Sequence, residues 1–82
     1  MGSPVNDFEE VKFHVETAQK MVGSATITMD PESLQHATNA VESARLQLET
    51  MKEVATDLDA PFLLDQEEKL ERCEHQLHEA KN

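Results

Sequence analysis

The segment from Leu34 to Leu58 constrains the fold most, because its apolar residues recur every three or four positions. The recurring residues are Leu34, Ala37, Val41, Ala44, Leu48, Met51, Ala55 and Leu58. This alternation averages about 3.5 residues, which keeps the side chains on one narrow seam of an α-helix. No glycine or proline lies between Glu32 and Ala60 to interrupt that helix. Because a single apolar seam must be covered, the segment predicts a helix that packs against others.

The same spacing recurs on both sides of this segment. Upstream it includes Phe8, Val11, Val15, Ala18, Val22 and Ala25; downstream it includes Leu63, Leu70, Cys73, Leu77 and Ala80, with Gln66 at a position where an apolar residue is expected. Asp30-Pro31-Glu32 is a typical helix start, because aspartate caps free amides and proline fits the first turn. The sequence predicts an all-α antiparallel three-helix bundle, with helices at about 7–24, 31–57 and 61–80 and a loop at 25–29.

Chain length and alanine content bear on association. The 82 residues are expected to form one helical domain, 1–82, in which residues 1–5 are disordered or left over from cloning. Six of the nineteen seam residues are alanine, so the core is expected to be thin. A homodimer with coiled-coil-like seams would supply the missing burial, and we expect one.

The charge of the chain excludes several classes of partner. Seventeen acids against seven Lys and Arg give a formal net charge of −10. Phosphate backbones and anionic membranes would be repelled, so neither direct nucleic-acid binding nor membrane binding is expected.

A single cysteine, Cys73, permits no intramolecular disulfide, and no apolar run resembles a signal peptide or a membrane span. These features favour a cytoplasmic protein.

Few residues could carry chemistry. No glycine-rich phosphate loop and no nucleophile motif occurs, so the sequence predicts neither an enzyme nor a bound cofactor. His75 and His78, with Glu71 or Glu79 one turn away, form a weak candidate set for a divalent metal. The spacing puts both histidines on the side away from the seam. Ordinary surface histidines are therefore the favoured interpretation.

Apolar residues outside the seams indicate how the protein could act. They are Phe13, Leu46, Phe62 and Leu64. Phe13, Leu46 and Phe62 are predicted to contact a partner, although for Phe62 and Leu64 filling the end of the bundle is the favoured interpretation. Acidic residues of the third helix are predicted to steer a basic protein towards this surface; they are Glu67, Glu71 and Glu74.

These features predict a small acidic helical protein–protein interaction or regulatory module without catalytic activity. One alternative is an acidic nucleic-acid mimic that inhibits a DNA-binding protein, supported by the eight acids between Asp57 and Glu79. A second alternative is a metal-binding helical module that uses His75 and His78. A purely structural assembly unit differs from the first hypothesis only in lacking a foreign partner.

Three stretches are also informative as motifs. They are Ala18-Gln19-Lys20-Met21-Val22-Gly23-Ser24-Ala25-Thr26, Met29-Asp30-Pro31-Glu32 and Cys73-Glu74-His75-Gln76-Leu77. In these stretches the chain resembles a family of small, acidic, uncharacterised proteins of spore-forming Gram-positive bacteria. The resemblance implies a bacterial cytoplasmic protein in stress or sporulation physiology, and it carries no catalytic residues that could be transferred.

Overall fold

The protein folds as a three-helix bundle in a computed structural model that describes residues 6–81. Helix α1 spans Asn6–Thr28, α2 spans Pro31–Val54 and α3 spans Ala60–Lys81, with one turn of 3-10 helix at Asp57–Asp59 between α2 and α3. Each helix packs against both others. This confirms the predicted all-α bundle. Residues 1–5 lie outside the described part of the chain, and none of the helices within 6–81 is long and apolar enough to cross a membrane.

Helix α1 is longer than predicted, and the expected loop at 25–29 is wrong except at its last residue. Gly23 does not end the helix, because one glycine costs only about 1 kcal/mol and Ala25 is buried two residues later. The Thr26 hydroxyl donates to the Gly23 carbonyl oxygen at 3.1 Å, which satisfies it inside the helix. Met29, with φ 58°, stands just beyond the helix and its N–H donates to the Ala25 carbonyl at 2.8 Å. A left-handed residue at this position is a common helix C-terminus.

Helix α2 begins as predicted and ends earlier than predicted. Asp30 Oδ2 accepts hydrogen bonds from the Ser33 N–H and hydroxyl, each at 3.2 Å. At the other end the backbone becomes extended at Ala55, at φ −76° and ψ 152°. The predicted end near residue 57 is therefore wrong.

The cause of the early end lies in the next turn. The N–H and the hydroxyl of Thr56 donate to Asp59 Oδ2 at 3.1 and 3.2 Å, and the Asp59 N–H donates to the Thr56 carbonyl at 3.0 Å. These short side chains offer the backbone an alternative to the helix. Leu58, which the spacing placed on the seam, is 92% exposed as a result.

The three seams meet in one core, as the spacing predicts. Its buried apolar residues are Val11, Val15, Ala18, Val22, Ala25, Ala37, Val41, Ala44, Leu48, Met51, Leu63, Leu70, Cys73 and Leu77. Four of these are alanine and none is aromatic, so the core is thin. Gln66 occupies its predicted seam position and is only 2% exposed. Its Oε1 has no hydrogen-bond partner.

Candidate interaction surface

An ion-pair network links α2 to α3 along one side of the bundle. Arg45 is at its centre: Nη2 and Nε contact the two carboxylate oxygens of Glu74 at 2.8 and 3.2 Å. Its Nη1 lies 2.5 Å from Glu67 Oε2 and 3.3 Å from Glu49 Oε2. Lys52 also pairs with Glu67, and its Nζ lies 3.4 Å from Glu49 Oε2. The forked contact with Glu74 is the geometry that a guanidinium favours with a carboxylate.

The network shifts the proton affinities of its members. Hydrogen bonds from Lys52 and Arg45 hold the pKa of Glu67 below its usual value, against the opposing effect of burial. Hydrogen bonding to Glu74, and then to Glu67, raises the pKa of Arg45. The hydrogen bond with Glu67 raises the pKa of Lys52 in the same way. All three side chains are therefore charged around neutral pH.

The network includes two of the three acids on α3 that are predicted to steer a basic partner, and that steering role stays a prediction. Glu67, Glu71 and Glu74 were predicted to steer a basic partner. Glu67 and Glu74 are paired with Arg45 within the chain, and Glu71 is exposed. A nucleic-acid mimic would likewise have two fewer free carboxylates on this helix.

Sequence reasoning missed Arg45 and Lys52, although a signal was present. Each of the four cross-helix residues directly follows a seam residue; the pairs are Ala44-Arg45, Met51-Lys52, Gln66-Glu67 and Cys73-Glu74. In antiparallel helices the positions beside the seam face each other, so opposite charges there indicate a pair. Reading charge together with the seam would have found the network.

The predicted contact residues occupy different places. Phe13 and Leu46 each lie two positions after a buried seam residue, on the outer sides of α1 and α2, and are 65% and 69% exposed. Phe62 is half-buried. Its ring meets that of Phe8 edge to face at a centroid distance of 5.4 Å, at the end of the bundle. This packing matches the alternative that Phe62 fills the bundle end.

A further apolar surface lies around the connection between α2 and α3. We call residues 53–65 the acidic turn, because they contain four acids and no lysine or arginine; the acids are Glu53, Asp57, Asp59 and Asp65. Val54, Leu58 and Leu64 in this segment are 70%, 92% and 64% exposed. Asp65 pairs with Lys69 at 3.0 Å. In the described chain, no lysine or arginine forms an ion pair with the other three acids.

The candidate metal ligands lie on the outer side of α3, as expected from the seam. His75 Nε2 is 3.5 Å from Glu79 Oε2, and both side chains are largely exposed. His78 and Glu71 are exposed as well, and Arg72 beside Glu71 adds a positive charge that opposes cation binding. Within residues 6–81, no group of three or more His, Cys, Asp or Glu side chains is placed to hold a metal ion.

Comparisons with known proteins identify a family. Residues 4–82 match a family described as "Protein of unknown function (DUF2564)". The chain is 37% identical over 75 residues to the uncharacterized protein YpzA of Bacillus subtilis (strain 168), an alignment that covers 92% of this chain and 83% of YpzA. No solved structure matches. The resemblance to an uncharacterised bacterial family is thus confirmed at that level, and the chain belongs to the DUF2564 family.

Proposed function

We propose that this protein is an acidic helical module that acts by binding another protein and has no catalytic activity. The observation that carries the proposal is the set of large apolar side chains that the core does not use. Within residues 6–81 they are Phe13, Ile27, Met29, Leu46, Val54, Leu58 and Leu64, each at least 49% exposed. Exposed apolar patches that are rimmed by polar residues mark protein-binding sites.

The charge favours a basic partner. The chain carries a formal net charge of −10, which attracts proteins of opposite sign and raises their rate of association. Phe13 and Leu46 remain the proposed contacts on α1 and α2. Glu71 is the exposed member of the proposed steering acids, whereas Phe62, Glu67 and Glu74 would act by supporting the bundle.

Self-association and a cytoplasmic location belong to the same proposal. Four alanines among fourteen buried apolar residues leave the core small for a stable monomer. A homodimer through the outer sides of α1 and α2 would bury Phe13 and Leu46. Light scattering after size exclusion, over a tenfold range of concentration, tests this part: a monomer throughout that range would exclude the dimer.

The binding proposal is tested by affinity capture with cross-linking from a Bacillus subtilis lysate. The wild-type chain is compared with Phe13→Ala/Leu46→Ala and with a control, Gln19→Ala, which changes an exposed polar residue on α1. We expect a protein that the wild type and the control retain at low salt and that the double variant loses. The proposal fails if no protein is retained above a bare-resin background.

A further inference from the structure

We propose that the acidic turn, residues 53–65, is a docking site for a short basic amphipathic segment of another protein, with Leu58 as its apolar anchor. This inference rests on the proposed function and names the surface and the chemistry of the partner. It differs from the contacts predicted at Phe13 and Leu46, because the spacing of the sequence placed Leu58 in the core. The structure puts it outside the core, at 92% exposure.

The turn holds Leu58 in place. Asp57-Leu58-Asp59 form one turn of 3-10 helix, and two hydrogen bonds from Thr56 to Asp59 Oδ2, at 3.1 and 3.2 Å, fix its start. The Asp59 N–H closes the turn on the Thr56 carbonyl at 3.0 Å. A side chain presented on a preorganised turn loses less conformational entropy on binding than one on a loose loop.

Leu58 is accompanied by other apolar atoms. Val54 is 70% exposed just before the turn, and Leu64 is 64% exposed on the first turns of α3. At the same end of the bundle, the half-buried rings of Phe8 and Phe62 pack against each other. Leu58 is thus one of three large exposed apolar side chains within the acidic turn.

Charge complementarity selects the occupant. Glu53, Asp57 and Asp59 form no ion pair with a lysine or arginine in the part of the chain that the structure describes. Lys52, which directly precedes this segment, is committed to Glu67 and Glu49. Lysine or arginine beside the anchor of a partner would supply the missing cations.

The same charges disfavour the other occupants. A second copy would bring its own four acids against these four, and like charges that are brought together repel. Nucleic acid and anionic lipid surfaces are repelled for the same reason. A basic amphipathic segment supplies both an apolar side chain to pack against Leu58 and cations to pair with the acids of the turn.

The test measures binding of the full-length chain to a fluorescent synthetic peptide of lysine and leucine in helical spacing. A peptide with glutamate in place of lysine is the control for charge. Leu58→Ser is compared with Ile27→Ser, which removes an exposed apolar side chain from the last turn of α1, outside the acidic turn. Glu53→Gln/Asp57→Asn is compared with Glu42→Gln/Glu68→Gln, which removes two exposed acids from α2 and α3 outside the acidic turn. Circular dichroism checks that every variant folds, which we expect because substitutions at exposed positions usually change stability little.

We expect Leu58→Ser to weaken binding of the basic peptide by about tenfold or more and Ile27→Ser by less than about twofold. We expect Glu53→Gln/Asp57→Asn to weaken binding more than its control and to reduce the salt dependence. Equal effects of Leu58→Ser and Ile27→Ser would overturn the inference. The inference would also be overturned if light scattering gave a lower solution mass for Leu58→Ser than for the wild type, because a second copy would then occupy the acidic turn.

Failure of this inference is distinguishable from failure of the proposed function. If the lysate partner is lost on Phe13→Ala/Leu46→Ala substitution while Leu58→Ser has no effect on peptide binding, the module binds through another surface and only this inference fails. If neither the lysate nor the peptide provides a ligand, both fail.

Discussion

Gln66 offers the sharpest test of how the bundle is stabilised. Its side chain is 2% exposed, and its Oε1 is buried without a hydrogen-bond partner. A buried polar group without a partner costs about 1–3 kcal/mol. Replacing it with an apolar side chain of similar size removes that cost, less up to about 1 kcal/mol for imperfect fit. We therefore expect Gln66→Leu to raise the free energy of unfolding by about 1.5 kcal/mol.

The expected change is large enough to measure by heat. At about 2.1 cal/mol/K per residue, the 82 residues have an unfolding entropy of about 170 cal/mol/K. A gain of about 1.5 kcal/mol then raises Tm by about 9 °C. Thermal unfolding followed by far-ultraviolet circular dichroism gives Tm directly. Gln76→Leu changes an exposed glutamine on the same helix and should alter stability by less than about 0.5 kcal/mol.

A second variant separates polarity from shape. Gln66→Met keeps an unbranched side chain and removes the amide, so it fits the same space without branching at Cγ. Both variants should be more stable than the wild type. If both are less stable while helix content is unchanged, the Gln66 amide is contributing hydrogen bonds to the fold, and the reasoning from its unpaired oxygen is refuted.

Three other predictions follow from the α2–α3 side of the bundle. Arg45→Met should lower the free energy of unfolding by about 1–2 kcal/mol in urea titrations, because it removes a cation from Glu67 and Glu74. The control Arg72→Met changes an exposed arginine and should alter this free energy by less than about 0.5 kcal/mol. Equal losses in the two variants would contradict a stabilising role of the network. Since folding holds the pKa of Glu67 below its ordinary 4.5, its contribution is present above pH 4.5 and is lost as pH falls through the lowered pKa. Urea titrations across acid pH should therefore show the difference between wild type and Arg45→Met shrinking, and a constant difference would exclude Glu67 as the source. Cys73 is 3% exposed, and burial raises the pKa of its thiol. The thiol should therefore react with a disulfide reagent far more slowly in the native protein than in urea. Equal rates in the two conditions would show that α3 opens readily.

The seam spacing was sufficient to predict the bundle and most of its core. Apolar periodicity reports burial directly, and Asp30-Pro31 marked the start of α2 correctly because its capping chemistry is local. The ends of the helices were less predictable. At residue 25 the burial of an alanine outweighed the glycine before it, and after Val54 the bonds of Thr56 with Asp59 outweighed a continuing seam.

The surface was harder to predict than the core. Leu58 could not be placed correctly, because the seam pattern predicts burial wherever the helix is assumed to continue. The roles of Glu67 and Glu74 depend on which residues of α2 they face, and that information is not carried by either helix alone. Once the helices are assumed to be antiparallel, the positions of the charged residues beside the two seams indicate which residues of α2 face Glu67 and Glu74.

The Arg45 network has a consequence for the alignment of α3. The main apolar positions of that helix are Leu63, Leu70 and Leu77, identical residues seven apart, so hydrophobic contact alone would tolerate sliding by one heptad. Sliding in one direction would bring Lys81 to the place of Glu74, against Arg45; sliding in the other would bring Ala60 to the place of Glu67. Either shift loses a carboxylate opposite Arg45. The repeated leucines thus permit several registers of α3, and the ion pairs of Arg45 favour one of them.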